Sequence, residues 1–386
     1  MQAITAIASD DEGLALRWQN GTESHFSWLW LRDHDQGPES LDPSTLQRRV
    51  DTFALDETLR GSDCAILEEG RALAVTWPEN GLCSRYSADF LAAMAGIAAG
   101  DWDTLAGMPQ RIWSGRSPLK LQDPVPYDDI LSGAASGGQE GLRACFERLQ
   151  RDGFAVIEGV PTDEATAREL FNRFGYIRET IFGGVWGVSA DITDYEDSAY
   201  STEYLEPHTD ATYSHDAPGL QCFLCLEFDG EGGESILVDG FAIAEQMRAE
   251  EPELFRVLSE VPVPGRYIDT RQHLRAERPA IRLDGQGRLL QVSFNNYDRA
   301  PFWLGADRMK AFYRAYKSFH DRIVERDNWL TVPLRPGMAL IFDNWRLLHG
   351  RMAYSGKRTF CGCYHNHEDF ESALRNLGWS KGPAKS

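Results

Sequence analysis

The segment Pro207-His208-Thr209-Asp210 carries two metal-ligand side chains two positions apart. In extended backbone such residues point to the same side, so His208 and Asp210 can reach one ion together. A bare His-x-Asp is common and says little alone; a third ligand must come from elsewhere. His349, in the stretch FDNWRLLHGR after the strand-like MALIF, is the candidate. Two histidines and one carboxylate on one face, with other positions open, suit non-haem Fe(II) and oxygen chemistry. The same three residues would also serve a zinc hydrolase, so the residues alone leave that alternative open.

Arg358 lies nine residues after His349, at the start of the strand-like TFCGCY. A guanidinium is the natural clamp for a planar carboxylate; the competing reading is a surface salt bridge. Phe182, Trp186, Tyr200, Tyr213 and Tyr364 gather around the metal motifs in sequence. Ring faces attract a quaternary ammonium by ~0.5–2 kcal/mol each; the competing reading is that each ring is core. Asn295, Asn296 and Arg299 in FNNYDRA offer amides and a guanidinium suited to a carboxylate or phosphonate at the other end of such a substrate.

These groups need a scaffold. GLALRW, HFSWLWL and LAVTW read as strands and Ala88–Gly100 as a helix, giving a small β-rich domain over residues 1–115. The polar, Pro-bearing stretch SGRSPLKLQDPVPYDD marks a linker, taken as residues 116–135. In residues 136–386, Leu142, Cys145, Phe146 and Leu149 make an amphipathic helix, and a second helix starts at Thr162. FAVIEGV, LQCFLCLEF, SILVDG, LLQVSF, MALIF and TFCGCY follow as strands, with a helix through Met309, Phe312, Tyr313, Tyr316, Phe319 and Ile323 among the connections. Strands far apart in sequence, without regular βα alternation, predict a mainly β fold with helices: a jelly roll.

The net charge of −20 repels phosphate backbones and anionic lipid, so neither nucleic acid nor membrane is expected as a partner. The opening MQAITAIASDDEGLALRW has no basic stretch followed by an apolar one, and the seven cysteines are odd in number and widely spread; a cytoplasmic protein with reduced thiols is expected. Cys222-x-x-Cys225 looks like a metal or redox pair, but three residues apart in a strand the two face opposite ways, so they read as core. Cys361, Cys363, His365 and His367 alternate and would share one face of a continued strand, a weaker soft-metal candidate.

The motifs IRETIFGGVW, EDSAYSTEYLEPHTDATY, LVDGF, FNNYDRA, DNWRLLHGR and TFCGCY, running from about Ile177 to Leu377, resemble trimethyllysine dioxygenase and γ-butyrobetaine hydroxylase, members of the taurine dioxygenase-like oxygenases. WLWLRDH and LQRRVDTF extend the resemblance to their accessory domain. It implies a double-stranded β-helix core, hydroxylation of a small trimethylammonium compound, and Fe(II), 2-oxoglutarate and O2 as cofactor and co-substrates. By the same resemblance, His208, Asp210 and His349 hold the metal and Arg358 binds 2-oxoglutarate with help from Ser235. Phe182, Trp186, Tyr200 and Tyr364 line the ammonium seat, to which Tyr213 is added for its nearness to the His-x-Asp turn. A homodimer is implied too. Asp197 stands where γ-butyrobetaine hydroxylase has a neutral amide and trimethyllysine dioxygenase an acid that meets an amino group, which argues against γ-butyrobetaine. The segment after WLRDH lacks the zinc-binding cysteines of these relatives. That departure and the opening segment rank 2-(trimethylammonio)ethylphosphonate first as substrate, ahead of trimethyllysine. A non-catalytic quaternary-ammonium binding protein is the reading from a different class.

Overall fold

The computed structural model describes residues 2–97, 110–131, 140–189 and 201–379. Asp197 and Tyr200 lie outside them. The chain divides into two compact units, Met1–Gly107 with Gly378–Ser386, and Met108–Leu377.

The first unit holds two antiparallel meanders: β1 (Ile4–Ser9), β2 (Gly13–Trp18) and β3 (Glu23–Ser27), then β4 (Asp63–Leu67), β5 (Ala72–Thr76) and β6 (Cys83–Ser87). HFSWLWL is not one strand. It breaks at Ser27, whose side chain accepts from Trp30 N and caps α1 (Trp28–Asp33). The turn buries Trp28 and Leu31 with Trp18, Trp77 and Tyr86 in one core. A second helix, α2 (Ala88–Met94), closes the unit's described elements, capped by Ser87.

The second unit begins at Met108, and its first strand falls in the stretch read as linker. Val125–Pro126 (β7) pairs in parallel with β8 (Phe154–Glu158), and Tyr127–Leu131 is helical (α3). Helices α4 (Glu140–Asp152) and α5 (Glu164–Phe171) follow the predicted apolar spacing. Next come β9 (Val185–Ser189), β10 (Leu205–His208), β11 (Leu220–Phe228) and β12 (Ser235–Asp239). Helices α6 (Gly240–Glu250) and α7 (Pro252–Glu260) then lead into two hairpins, β13 (Pro262–Ile268) with β14 (His273–Pro279) and β15 (Ile281–Leu283) with β16 (Leu289–Val292). The 18-residue α8 (Ala306–Ile323) precedes β17 (Trp329–Val332), β18 (Ala339–Asp343), β19 (Leu347–Arg351), β20 (Arg358–His365) and α9 (His367–Leu374).

Two sheets form the core, in the orders β10-β19-β12-β17 and β7-β8-β18-β11-β20-β9. Neighbours in space are far apart in sequence, the mark of a jelly roll. Strand β12 shows how the sequence builds it. Ile236 and Val238 face a helix-covered core with Phe241, Phe312 and Phe319, while Leu237 faces the other sheet with Phe342, Leu347 and Phe360. Both faces are buried, so the strand reads as a continuous apolar run. Among the described residues, no helix is long and apolar enough to cross a membrane.

Candidate metal centre and cavity

Antiparallel pairing of β10 with β19 sets His208 directly opposite His349. The strands approach closely: a Cβ on Gly350 would lie 2.6 Å from Leu205 O, so only glycine fits between the two histidine-bearing segments. His208 donates from Nδ1 to Glu206 O at 2.8 Å, which fixes its tautomer and turns Nε2 toward Asp210 Oδ1, 3.2 Å away. His349 Nε2 lies 3.7 Å from the same oxygen. Its Nδ1 is buried without a hydrogen-bond partner among the described residues, so packing orients this ring, 4.8 Å from Phe342.

Asp210 is held from its backbone. Its N–H donates to Asn344 Oδ1 at 2.8 Å, and Asn344 donates in turn to Pro218 O at 2.9 Å. Thr209 N donates to Phe294 O at 2.8 Å, and Phe294 N to Thr209 Oγ1 at 2.9 Å. Burial by itself would raise the Asp210 carboxyl; His349, His208 and the Tyr364 hydroxyl outweigh it and hold it well below the usual carboxylate range. Burial pushes His349 down to about 3, against the pull of Asp210. The ligand atoms of His208, Asp210 and His349 lie within 4.8 Å of one another. An ionised carboxylate with a neutral imidazole beside it, buried in a cavity, is a donor set that fits Fe(II).

The cavity lies between the two sheets, with a volume of about 130 Å³. One end is cationic. Arg358 is 9% exposed, and its guanidinium sits 3.9 Å over the Phe360 ring. No described carboxylate pairs with it, so the surface salt bridge is set aside. Burial, with Arg351 nearby, lowers its pKa to about 10, and it stays charged at neutral pH. A buried guanidinium without a counter-charge calls for an anion. Ser235 lines the same cavity and pairs with Arg351 across β12 and β19.

Aromatic rings form another wall. Trp186 lies 5.2 Å from Tyr364 and 5.5 Å from Phe223, seated over Gly362, where a Cβ would come within 2.6 Å of the indole. Phe182 and Tyr213 also line the cavity, each packed on Tyr267, at 6.0 and 5.3 Å.

FNNYDRA departs from expectation. Asn295 reaches the cavity, but its amide closes a turn: Oδ1 accepts from Tyr297 N at 2.9 Å and Nδ2 donates to Asp298 Oδ2 at 3.0 Å. The turn directs Asn296 and Arg299 elsewhere. They bond to each other at 3.1 Å, Arg299 stacks on Tyr313 and Tyr316, and neither lines the cavity. Their place is taken by Tyr297 and Asp298, which sequence reasoning missed. It missed Arg351 and Gln221 as well. Arg351 shares a strand face with His349 two residues earlier, a spacing that would have found it.

The cysteine patterns resolve separately. Cys222 and Cys225 are buried on opposite sides of β11. Cys222, Cys363 and His365 meet away from the cavity, whereas His367 begins α9 and contacts Asp343. His365 donates from Nδ1 to Tyr176 O at 3.1 Å, and burial keeps the Cys363 thiol protonated, 3.5 Å from His365 Nε2. That is a buried S–H···N contact, and no metal is needed to satisfy it.

The chain is similar over most of its length to known dioxygenases. The model of the family "Taurine catabolism dioxygenase TauD, TfdA family" matches residues 128–364. A trimethyllysine dioxygenase of Meyerozyma guilliermondii is 30% identical over 98% of this chain and 97% of its own. The mitochondrial trimethyllysine dioxygenase of Mus musculus is 33% identical over 93% of this chain and 84% of its own. A γ-butyrobetaine dioxygenase of Pseudomonas sp. strain AK-1 is 33% identical over 96% and 95%. This chain belongs to the TauD, TfdA dioxygenase family. It is a 2-oxoglutarate-dependent non-haem iron dioxygenase, and Fe(II), 2-oxoglutarate and O2 are its cofactor and co-substrates.

Proposed function

We propose that this enzyme hydroxylates trimethyllysine, with γ-butyrobetaine as the second candidate. The relatives whose names state an activity act on these two compounds, and none named here acts on a phosphonate. The observation that carries the choice is Asp298. It lines the cavity where a cation from Arg299 was expected. A carboxylate there suits the α-ammonium group of an amino acid and repels a phosphonate dianion. γ-Butyrobetaine has no second ammonium group to meet it.

In this reading His208, Asp210 and His349 hold Fe(II), which when bound supplies oxygen activation coupled to oxidative decarboxylation of 2-oxoglutarate to succinate. Arg358 fixes the far carboxylate of 2-oxoglutarate with a two-pronged contact that Lys cannot copy, and Ser235 assists. Trp186, Tyr364, Phe182 and Tyr213 receive the trimethylammonium group on ring faces. That group donates no strong hydrogen bond, so shape and cation–π attraction select it over a primary ammonium. Positioning of the C–H bond dominates, and no acid–base pair is required of the protein. The β-rich first unit is an accessory domain, and the enzyme works as a homodimer.

Asp298→Asn tests the reading. It is expected to raise KM for trimethyllysine roughly tenfold or more, the loss of one charge-assisted contact. The deaminated analogue, 6-(trimethylammonio)hexanoate, should change little. Equal effects on the two compounds would remove Asp298 from ammonium recognition.

A further inference from the structure

We infer that Tyr364 is a positioning residue for the metal carboxylate as well as a wall of the aromatic seat. Its hydroxyl holds Asp210 so that one oxygen faces the histidines, while its ring faces Trp186. The metal half of this inference stands on geometry alone. The link to substrate rests on the aromatic seat proposed above.

Asp210 divides its two oxygens. Oδ1 lies 3.2 Å from His208 Nε2 and 3.7 Å from His349 Nε2, and Oδ2 accepts from the Tyr364 hydroxyl at 2.7 Å. The terminal torsion of a carboxylate is soft, so its backbone anchor at Asn344 leaves the head free to swing. The tyrosine contact is what stops it. Were Oδ2 released, both oxygens could turn to one ion and occupy a position that 2-oxoglutarate or O2 requires. Hydrogen-bonded partners of ligating carboxylates commonly set ligand orientation in this way.

The ring end of the same side chain is equally fixed. Tyr364 is 7% exposed and sits in β20 two residues beyond Gly362, which admits the Trp186 indole against the sheet. Tyr364 and Trp186 lie 5.2 Å apart at 42°, tilted as two walls of one seat. An occupant of the seat therefore meets the ring of the same side chain whose hydroxyl restrains Asp210. Filling the seat and readying the metal are joined through one residue.

The test is an anaerobic titration of the metal-free full-length chain with Fe(II) and with Co(II), whose visible bands report coordination number. Tyr364→Phe keeps the ring and removes the hydroxyl. It is expected to weaken metal affinity roughly 10–100-fold and to shift the Co(II) bands toward higher coordination. It should also increase 2-oxoglutarate consumed per product formed. Trp186→Leu, which opens the seat but leaves the hydroxyl, is expected to keep the parent's Co(II) affinity and spectrum. Parent-like affinity and spectrum in Tyr364→Phe would overturn the inference, as would an equal disturbance by Trp186→Leu. The titration contains no substrate, so its failure counts against this role of Tyr364 alone. Failure to hydroxylate any trimethylammonium compound would count against the proposed function instead.

Discussion

His208 and His349 face each other across the β10–β19 ladder, with ring centroids 4.5 Å apart, although 141 positions separate them in the chain. The ladder itself brings these two candidate metal ligands together. His208→Ala or His349→Ala is expected to lower turnover by on the order of a hundredfold or more, since even losing a supporting contact costs about 10–100-fold. The metal-free unfolding midpoint should change little. Normal iron-dependent turnover in either variant would strike that residue from the ligand set.

Arg358 is buried with no described counter-charge, so its loss should be felt at the co-substrate. Arg358→Ala and Arg358→Lys are both expected to raise KM for 2-oxoglutarate roughly 10–100-fold, the worth of a charged two-pronged contact. KM for the trimethylammonium substrate should move far less. Saturation curves like the parent's would assign the clamp to another residue, with Arg351 the first to examine.

Arg346 and Asp239 are paired at 2.7 Å with side chains 1% and 0% exposed. Arg346 also donates to Arg111 O at 2.7 Å and Arg151 O at 3.1 Å, and Asp239 accepts from Trp113 N at 3.1 Å. Asp239→Ala leaves a buried cation unmatched and is expected to cost about 3–5 kcal/mol in urea unfolding. A loss below about 1 kcal/mol, the level of an exposed pair, would contradict the burial of this network.

His367 stacks on Trp345 at 4.2 Å and faces Asp343 and Glu371. Burial opposes its charge, but the two carboxylates prevail and raise its pKa to about 9 from 6.5. The folded state therefore binds this proton more tightly than the unfolded chain. The stabilisation is fully present below about pH 6.5 and is lost as pH rises through about 9. His367→Gln is expected to flatten the fall in unfolding midpoint across that window. An unchanged slope would show that His367 does not carry it.

The meeting of His208, Asp210 and His349 is legible because the pattern is local. His-x-Asp needs only an extended segment, and His349 follows a strand read from its apolar run. The main strands of the second unit were legible for the same reason. Residues placed by turns were not. Choice by chemical type fails in FNNYDRA, where an Asn295 turn sends Asp298 to the cavity and Arg299 away. HFSWLWL reads as one strand because it is rich in aromatic residues that favour strands, yet the Ser27 cap starts a helix inside it. The Asn344 anchor of Asp210 acts across 134 positions, and no local pattern reports such a contact.

As proposed, the enzyme is an iron- and 2-oxoglutarate-dependent hydroxylase of trimethyllysine. The most direct test incubates the enzyme with Fe(II), 2-oxoglutarate and O2, supplying trimethyllysine, lysine, γ-butyrobetaine, 2-(trimethylammonio)ethylphosphonate and 2-aminoethylphosphonate side by side. Product mass and succinate are read together. The expected result is a gain of one oxygen on trimethyllysine, matched by succinate, at a rate above the other four compounds and with lysine poorly used. Preferential hydroxylation of the phosphonate, or equal rates with trimethyllysine and lysine, would contradict it.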